Sequence, residues 1–178
     1  DTVGREVRAE LGEKARDRIG HFLTRKVEKG ILSEAERDAA MGRLTLVTEL
    51  EELGDCDLVI EAIVEELEPK RELFAELDRI CRSEAVLATN TSALSVTEIA
   101  AATTKPERVV GMHFFNPAPL MPLVEIVRAE LTEDEPFETA YAFGERLGKT
   151  PIRCHDTPGF VVNRVLIPLL NDCIRVLD

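Results

Sequence analysis

The segment Val109-Val110-Gly111-Met112-His113-Phe114-Phe115-Asn116-Pro117, followed by Leu123-Val124-Glu125-Ile126-Val127, decides how this chain is interpreted. Two runs rich in β-branched residues flank a connection with three prolines, which predicts strand, turn-rich connection, strand. If the second strand runs back beside the first, His113 and Glu125 meet. A carboxylate on one ring nitrogen fixes the tautomer and raises the basicity of the other, which gives a general base near neutral pH. Taken alone, such residues are more often a hydrogen-bonded histidine at a strand end and a glutamate on a solvated face. The surrounding segments must therefore decide between this structural explanation and a catalytic one.

Composition limits the classes of partner. The 178 residues are 44% hydrophobic and 31% charged, which suits one globular domain or slightly more. The formal net charge of -12 would repel a phosphate backbone and anionic lipid, so neither nucleic acid nor a membrane is an expected partner. No apolar run approaches the roughly 20 residues of a membrane-spanning helix. The four cysteines lack CxxC spacing, which is typical of small buried side chains in a reducing compartment, so cytoplasm or an organelle matrix is expected.

The beginning of the chain is predicted to be helical. Apolar residues recur near helical spacing over residues 1–29, which predicts an amphipathic helix ended by Gly30, with no strand before it. The capping-box pattern Ser33-Glu34-Ala35-Glu36 predicts a second short helix that runs to about Arg43. A strand over residues 44–47 and a helical turn over residues 50–53 follow.

Strands and helices then alternate. Short apolar runs at residues 57–62, 86–89 and 109–113 predict strands, with helices ending near residue 81 and spanning about 95–102. A helix over about 135–147, a strand over 151–154 and a helix opening at Thr157-Pro158 complete the chain. This alternation indicates an α/β parallel sheet. Because ligands bind at the carboxyl ends of such strands, residues 62–70, 90–92 and 113–116 are expected to converge at one edge.

Each polar residue at this edge also has an ordinary structural explanation. Ser92 suits the N-cap of the following helix, Asn116 precedes a proline as in many turns, and Lys70 suits a solvated helix start. Asn163 lies in an apolar stripe, where an amide finds a partner or costs about 1–3 kcal/mol, so it either caps buried backbone or faces a ligand. The convergence of these polar residues beside a His–Glu pair favours chemistry at a carbinol or carbonyl. Acyl transfer is less favoured, since no GxSxG context occurs.

Four segments together resemble the L-3-hydroxyacyl-CoA dehydrogenase family, including the 3-hydroxybutyryl-CoA dehydrogenases of bacteria. They are residues 57–71 (DLVIEAIVEELEPKR), 88–100 (ATNTSALSVTEIA), 111–126 (GMHFFNPAPLMPLVEI) and 156–168 (DTPGFVVNRVLIP). Their co-occurrence in family order is far more specific than a lone GxGxxG would be. The resemblance implies an α/β fold with a partial Rossmann-type NAD-binding domain over residues 1–155. Residues 156–178 would be the first helix of an all-helical C-terminal domain.

The resemblance also implies an activity and a set of roles. The reaction is oxidation of a 3-hydroxyacyl-CoA to the 3-oxoacyl-CoA with hydride passing to NAD, or the reverse reduction. By position, His113 is similar to the general base, Glu125 to its orienting carboxylate, and Ser92 and Asn163 to donors that hold the substrate oxygen. Residues matching the cofactor side are Ala62, Glu65, Lys70, Ser92 and Asn116. A homodimer through the helical domain is implied, and no metal.

The sequence departs from the family pattern near its beginning. The family starts with a strand, a GxGxxG turn that holds the cofactor pyrophosphate, and a second strand that ends in an acidic residue. No such glycine pattern occurs here, so the first strand and glycine loop are expected to be missing, with Asp1 as a candidate remnant acidic residue. The chain alone is then expected to be catalytically incompetent. A non-catalytic fragment or crystallin-like structural relative, and a dehydrogenase of a non-CoA hydroxy acid, are the alternatives.

Overall fold

Two separate sheets organise the structure, a computed structural model that describes residues 1–177. One compact unit comprises Asp1–Cys56, and a second unit begins at Asp57. Within the described residues, no helix is both long and apolar enough to cross a bilayer. The α/β class predicted from the sequence is confirmed, because both sheets are flanked in sequence by helices and contain parallel strand pairs.

The first unit contains a two-stranded parallel sheet. Strands β1 (Thr2–Arg5) and β2 (Leu44–Val47) pair directly, and helices α1 (Ala9–Glu28) and α2 (Glu34–Gly42) connect them. A short 3-10 helix follows at Leu50–Leu53. The predicted helix over residues 1–29 with no strand before it was wrong, because the first residues form β1 and the helix begins only at Ala9. The strand forms by pairing with β2, a distant segment that local periodicity does not reveal.

The predicted start of α2 and the predicted end of α1 are both confirmed. The Ser33 hydroxyl accepts the Glu36 N–H at 3.2 Å, while the Ser33 N–H donates to the Glu36 carboxylate at 2.8 Å, so the capping box begins α2 as predicted. Gly30 follows the end of α1 with φ at 68°. A left-handed residue of this kind ends a helix, and glycine adopts it without a side-chain clash.

The second unit is built on a five-stranded sheet with the order β3-β4-β5-β6-β7. The strands are β3 (Leu58–Glu61), β4 (Val86–Thr89), β5 (Val109–Phe114), β6 (Leu123–Arg128) and β7 (Thr150–His155). Neighbouring strands are parallel except β5 and β6, which run antiparallel. The sequence predicted each of these strands and the return of the second strand beside the first.

Helices α3 (Leu67–Ile80), α4 (Val96–Ala100) and α5 (Asp134–Arg146) complete the layers of this unit. Its core combines six buried residues of the three central strands with two of α5: Val86, Ala88, Val110, Met112, Val124, Ile126, Phe137 and Ala140. The strands pack closely at Gly111, where an added Cβ would lie 2.7 Å from Val127 Cβ and 3.0 Å from Val96 Cγ2. Glycine is therefore required there by the close approach of two side chains.

Helix α6 (Val162–Arg175) begins later than predicted. The expected start at Thr157 was wrong, because Gly159 has φ at 75° and Phe160 has φ at 49°. Two successive left-handed residues cannot continue a right-handed helix, so residues 157–161 form a turn that precedes α6. Phe160 is only 2% exposed. It therefore anchors this turn and lies before α6, although its spacing from Asn163 is also that of an apolar helical stripe.

Candidate active site

His113 and Glu125 stand directly opposite each other in the β5–β6 ladder. The imidazole Nδ1 lies 2.7 Å from the carboxylate Oε2, and the two side chains are 6% and 0% exposed. Opposite side chains of an antiparallel pair have Cβ atoms about 4.5–5.5 Å apart, which is why a single hairpin joins ring and carboxylate. The structure thus brings together the two residues that the sequence spacing predicted would meet.

The other carboxylate oxygen of Glu125 is held by the start of α6. The backbone N–H groups of Val161 and Val162 each donate to Oε1 at 2.9 Å. Such N–H groups have no partner inside the helix, and the helix dipole favours an anion at this end. An ionised carboxylate only accepts hydrogen bonds, so the proton in the His113 contact belongs to Nδ1, which leaves Nε2 of the neutral ring with its lone pair.

Cys154 on β7 is a further neighbour of this carboxylate. Its Sγ lies 3.9 Å from Glu125 Oε1. Burial, together with the charge of Glu125 and this hydrogen bond, raises the pKa of the Cys154 thiol to about 12. The thiol therefore remains protonated at neutral pH and acts as a weak donor to the carboxylate, not as a nucleophile.

Two phenyl rings fix the orientation of the imidazole. The His113 and Phe115 ring centroids are 4.5 Å apart with a tilt of 55°, and Phe160 lies 5.8 Å away with a tilt of 58°. Tilted arrangements at this separation are favourable for aromatic pairs. The ring of His113 is thus held by Glu125 at one nitrogen and by two aromatic faces.

Ser92 and Asn163 also lie side by side. The Asn163 amide Nδ2 donates to the backbone carbonyl of Ser92 at 3.3 Å, so the amide of the apolar stripe has a backbone partner. The suggestion that Ser92 is an ordinary N-cap was wrong: Ser95 is the N-cap of α4, and its hydroxyl accepts the Glu98 N–H at 3.2 Å. The loop that carries Ser92 therefore precedes the capped turn.

Lys70 is buried, so its interpretation as a solvated residue was wrong. Its side chain is 1% exposed, and Nζ lies 2.7 Å from Glu61 Oε1 and 3.4 Å from Glu65 Oε2. The Glu61 carboxylate also accepts the Thr89 hydroxyl at 2.8 Å and the Ile63 N–H at 2.6 Å. A buried ammonium with two carboxylates and further hydrogen bonds forms a satisfied network beneath the carboxyl ends of β3 and β4.

Glu65 connects this network to the Ser92 loop. Its Oε1 accepts the Thr91 hydroxyl and the Ser92 N–H, each at 2.6 Å. Burial alone would raise the pKa of Glu65, but the Thr91 hydroxyl, the Ser92 N–H and the charge of Lys70 together lower it below its usual value. Glu65 therefore acts as an anionic anchor for the loop at residues 91–93.

The remaining predicted residues, Ala62 and Asn116, are exposed. Ala62 directly follows β3, beside Ile63 and Val64, which are 40% and 60% exposed. Asn116 follows β5 and precedes a cis proline. Sequence reasoning placed Asn90 at this edge without a role, and its Oδ1 accepts the Phe114 N–H at 2.8 Å, which ties the ends of β4 and β5 together. Its place at a strand end was the available signal.

The sheet and the buried pair define a class of protein, a Rossmann-type α/β domain with a histidine–carboxylate pair beside the carboxyl ends of its parallel strands. Residues 1–157 match the family profile described as "3-hydroxyacyl-CoA dehydrogenase, NAD binding domain". The chain belongs to the 3-hydroxyacyl-CoA dehydrogenase family.

Individual relatives support this membership. The chain is 45% identical over 169 residues to the probable 3-hydroxybutyryl-CoA dehydrogenase of Bacillus subtilis, which covers 95% of this chain and 59% of the relative. It is 48% identical over 165 residues to the 3-hydroxybutyryl-CoA dehydrogenase of Mycobacterium tuberculosis, covering 92% and 58%. The crystal structure of (S)-3-hydroxybutyryl-CoA dehydrogenase from Ralstonia eutropha superposes with a TM-score of 0.96 at 36% identity, covering 98% of this chain and 62% of that one. The chain thus spans about three fifths of the length of the curated relatives it matches.

The residues present fit part of an NAD site. After β3, the exposed Ala62, Ile63 and Val64 offer an apolar surface and backbone groups at the edge where dinucleotides bind in such sheets. Lys70 does not offer a free cation to a phosphate, because its ammonium is paired with two carboxylates. This edge therefore offers a cofactor shape and apolar contact. Lys70 instead supports the Ser92 loop through its ion pair with Glu65.

Proposed function

We propose that the protein carrying this chain oxidises a 3-hydroxyacyl-CoA to the 3-oxoacyl-CoA, or catalyses the reverse reduction. The observation that carries the proposal is the buried contact of 2.7 Å between His113 Nδ1 and Glu125 Oε2 at the carboxyl end of β5. The substrate class is supported by relatives named as 3-hydroxybutyryl-CoA dehydrogenases. The match to an NAD-binding domain supports the cofactor.

His113 acts as the general base in this proposal. Because Nδ1 is engaged by Glu125, Nε2 receives the proton of the substrate hydroxyl, and the O–H electron pair forms the new carbonyl as hydride leaves the carbinol carbon. NAD, when bound, supplies the hydride acceptor. Glu125 stabilises the imidazolium that forms, and the Val161 and Val162 N–H groups hold its other oxygen. Proton transfer to a positioned base contributes about 10²–10⁴-fold to a rate.

Ser92 and Asn163 are proposed to hold the substrate oxygen, where negative charge changes during the transfer. Their contact through the Ser92 carbonyl supports this role, because it places hydroxyl and amide donors in one small region. On the cofactor side, Ala62 and Asn116 are exposed for direct contact. Glu65 and Lys70 are proposed to act on that side by fixing the loop that carries Ser92.

We also propose that residues from 156 onward begin a helical domain through which the protein forms a homodimer. Support comes from the apolar side chains that α6 exposes, which include Val165, Leu166, Ile167, Leu169, Leu170 and Ile174. A cytoplasmic location is proposed as well, because the sequence has no CxxC pairing and the relatives are bacterial dehydrogenases.

The test uses protein expressed from the complete coding sequence. Absorbance at the NADH band is followed with acetoacetyl-CoA, and free acetoacetate serves as the control substrate. We expect consumption only with the CoA ester. His113→Ala should lower kcat by about 10²–10⁴-fold, and Glu125→Gln should also lower it, with circular dichroism showing a retained fold.

A matched control is His155→Ala, which removes an exposed histidine of β7 and should retain activity. Full activity in His113→Ala would refute the assignment of the base. Consumption with free acetoacetate would favour a hydroxy acid that is not a CoA ester. A folded wild-type protein that consumes neither substrate would favour the non-catalytic relative.

A further inference from the structure

Asp156, in the connection between β7 and α6, holds the beginning of α4. Its Oδ1 accepts the Val96 N–H at 3.0 Å, while Oδ2 accepts the Thr97 N–H at 2.8 Å and the Ser95 hydroxyl at 2.9 Å. Hydrogen bonds from backbone N–H groups to an ionised carboxylate are stronger than those between neutral groups. A residue 60 positions away from Val96 thus supplies acceptors that the start of this helix needs.

The segment that Asp156 begins reaches the candidate active site at two further points. The N–H groups of Val161 and Val162 donate to Glu125 Oε1. The amide of Asn163 donates to the Ser92 carbonyl. Residues 156–163 therefore contact the start of α4, the carboxylate that orients His113, and the Ser92 loop.

The backbone of this segment does not hold its shape by intrinsic preference. Phe160 is a non-glycine residue at φ 49°, and an added Cβ at Gly159 would lie 3.0 Å from the Arg164 nitrogen. Left-handed conformations at a bulky aromatic residue persist only where surrounding contacts impose them. On the N-terminal side of the turn, the Asp156 carboxylate provides such contacts.

We propose that Asp156 is a positioning residue of the active site. It fastens residues 156–163 to the start of α4, so that the α6 N–H groups stay on Glu125 and Asn163 stays beside Ser92. Asp156 acts through Glu125 and the Ser92 loop and does not itself touch the substrate. The expected effect on kcat rests on the proposed function. The expected effect on the positions of the Val161 and Val162 N–H groups does not depend on any reaction.

The variant Asp156→Asn tests this role with little change in volume. One carboxylate oxygen becomes an NH₂ group that faces the N–H or O–H donors of Ser95–Thr97, so at least one contact is lost and replaced by a clash of donors. Misplacement of a catalytic group by about 1 Å can lower a rate by about 100-fold, so we expect kcat to fall by about 10- to 100-fold. KM for NADH should change less than kcat.

Two readouts distinguish positioning from a general loss of structure. In a Glu125→Gln background, Asp156→Asn should lower kcat by less than about threefold, because residues that act as a unit are not additive. Hydrogen–deuterium exchange should become faster in peptides that contain Val161 and Val162, with β4 and β6 peptides unchanged. The matched control, Glu36→Gln, changes another carboxylate that accepts a backbone N–H and a hydroxyl, those of Ser33, at the start of a helix, and it should leave both readouts unchanged in the folded protein.

The same fold-loss of kcat in both backgrounds, or unchanged exchange at Val161 and Val162, would overturn the proposal. If Asp156→Asn does not fold, Ser95→Ala removes one of the three contacts together with the cap on the Glu98 N–H. Exchange at Val161 and Val162 should still become faster, by less than in Asp156→Asn, because the cap on Glu98 does not touch those residues. No effect in that variant would also overturn the proposal. A wild-type protein without turnover would refute the proposed function alone, since hydrogen exchange then still decides the role of Asp156.

Discussion

Replacing Lys70 by methionine removes the cation from the buried network but retains most of the side-chain volume. Lys70 Nζ contacts Glu61 at 2.7 Å and Glu65 at 3.4 Å, and the side chains of Lys70 and Glu61 are each 1% exposed. Without the ammonium, the Glu61 carboxylate stays buried with only the Thr89 hydroxyl and the Ile63 N–H as donors. The charge of this carboxylate is then no longer balanced.

Removing one partner of a buried ion pair costs about 3–5 kcal/mol, because the other charge is left uncompensated. We expect a loss near the lower end of this range, about 3 kcal/mol, since Glu61 keeps two neutral donors and the Glu65 side chain is 42% exposed. For a protein of this size, each kcal/mol lowers Tm by about 2–4 °C, so Tm should fall by about 6–12 °C.

The free energy is measured by urea unfolding and Tm by thermal unfolding, each followed by far-ultraviolet circular dichroism, since the chain has no tryptophan. A matched control is Arg71→Met at the adjacent position. Arg71 forms an i,i+3 pair with Glu68 at 3.2 Å, with side chains 41% and 69% exposed. Exposed pairs of this type are worth about 0.5 kcal/mol or less, so the control should remain close to the wild type.

The pH dependence gives a second check. The pKa of Glu65 is lowered from its ordinary value of 4.5, with burial opposing and Thr91, Ser92 and Lys70 favouring the charged form. Its contribution to stability is therefore present above pH 4.5 and is lost as pH falls through the lower folded value. Since Lys70→Met removes part of this contribution, the difference from wild type should narrow below pH 4.5. A loss no larger than that of Arg71→Met at neutral pH would refute the reasoning.

Two further predictions concern packing and thiol chemistry. Gly111→Ala should destabilise the protein by about 1–3 kcal/mol in urea unfolding, because the new Cβ would overlap Val127; Gly42→Ala, where an added Cβ meets nothing within 4 Å, is the control, and equal effects would contradict the close-packing argument. Cys154 should resist iodoacetamide at pH 8 in the folded protein and react after unfolding, since its pKa is raised to about 12. Mass spectrometry of the Cys154 peptide checks this, and equally fast labelling in both states would contradict it.

The sequence predicted the parts of the structure that depend on local pattern. His113 and Glu125 meet because two short strand patterns are separated by a proline-rich connection, and an antiparallel return is the simplest way to join them. The convergence of residues after β3, β4 and β5 followed from the α/β alternation. The contact of Glu65 with the Ser92 N–H and that of Asn90 with the Phe114 N–H confirm that these segments lie together.

The wrong predictions share one physical cause: the conformation or burial of each segment depends on contacts that its local sequence pattern does not show. Residues 2–5 form a strand only because β2 pairs with them, and their charged surroundings resemble the helix that follows. Lys70 is buried because Glu61 and Thr89 of two neighbouring strands lie beneath it, which no local charge pattern reveals. Thr157-Pro158 satisfies the rules for a helix start, yet the next two residues take left-handed conformations.

The antiparallel hairpin of β5 and β6 also bears on how this chemistry can be inherited. His113 and Glu125, the proposed base and its proposed orienting carboxylate, are encoded within residues 109–128, so one recombination event can transfer both into another parallel sheet. The N–H groups that solvate Glu125 are encoded 36 and 37 residues after it. A chimera joined directly after residue 128 would inherit a buried carboxylate without these donors. Productive crossovers are therefore expected after residue 163, which keeps the hairpin and the start of α6 on the same genetic fragment.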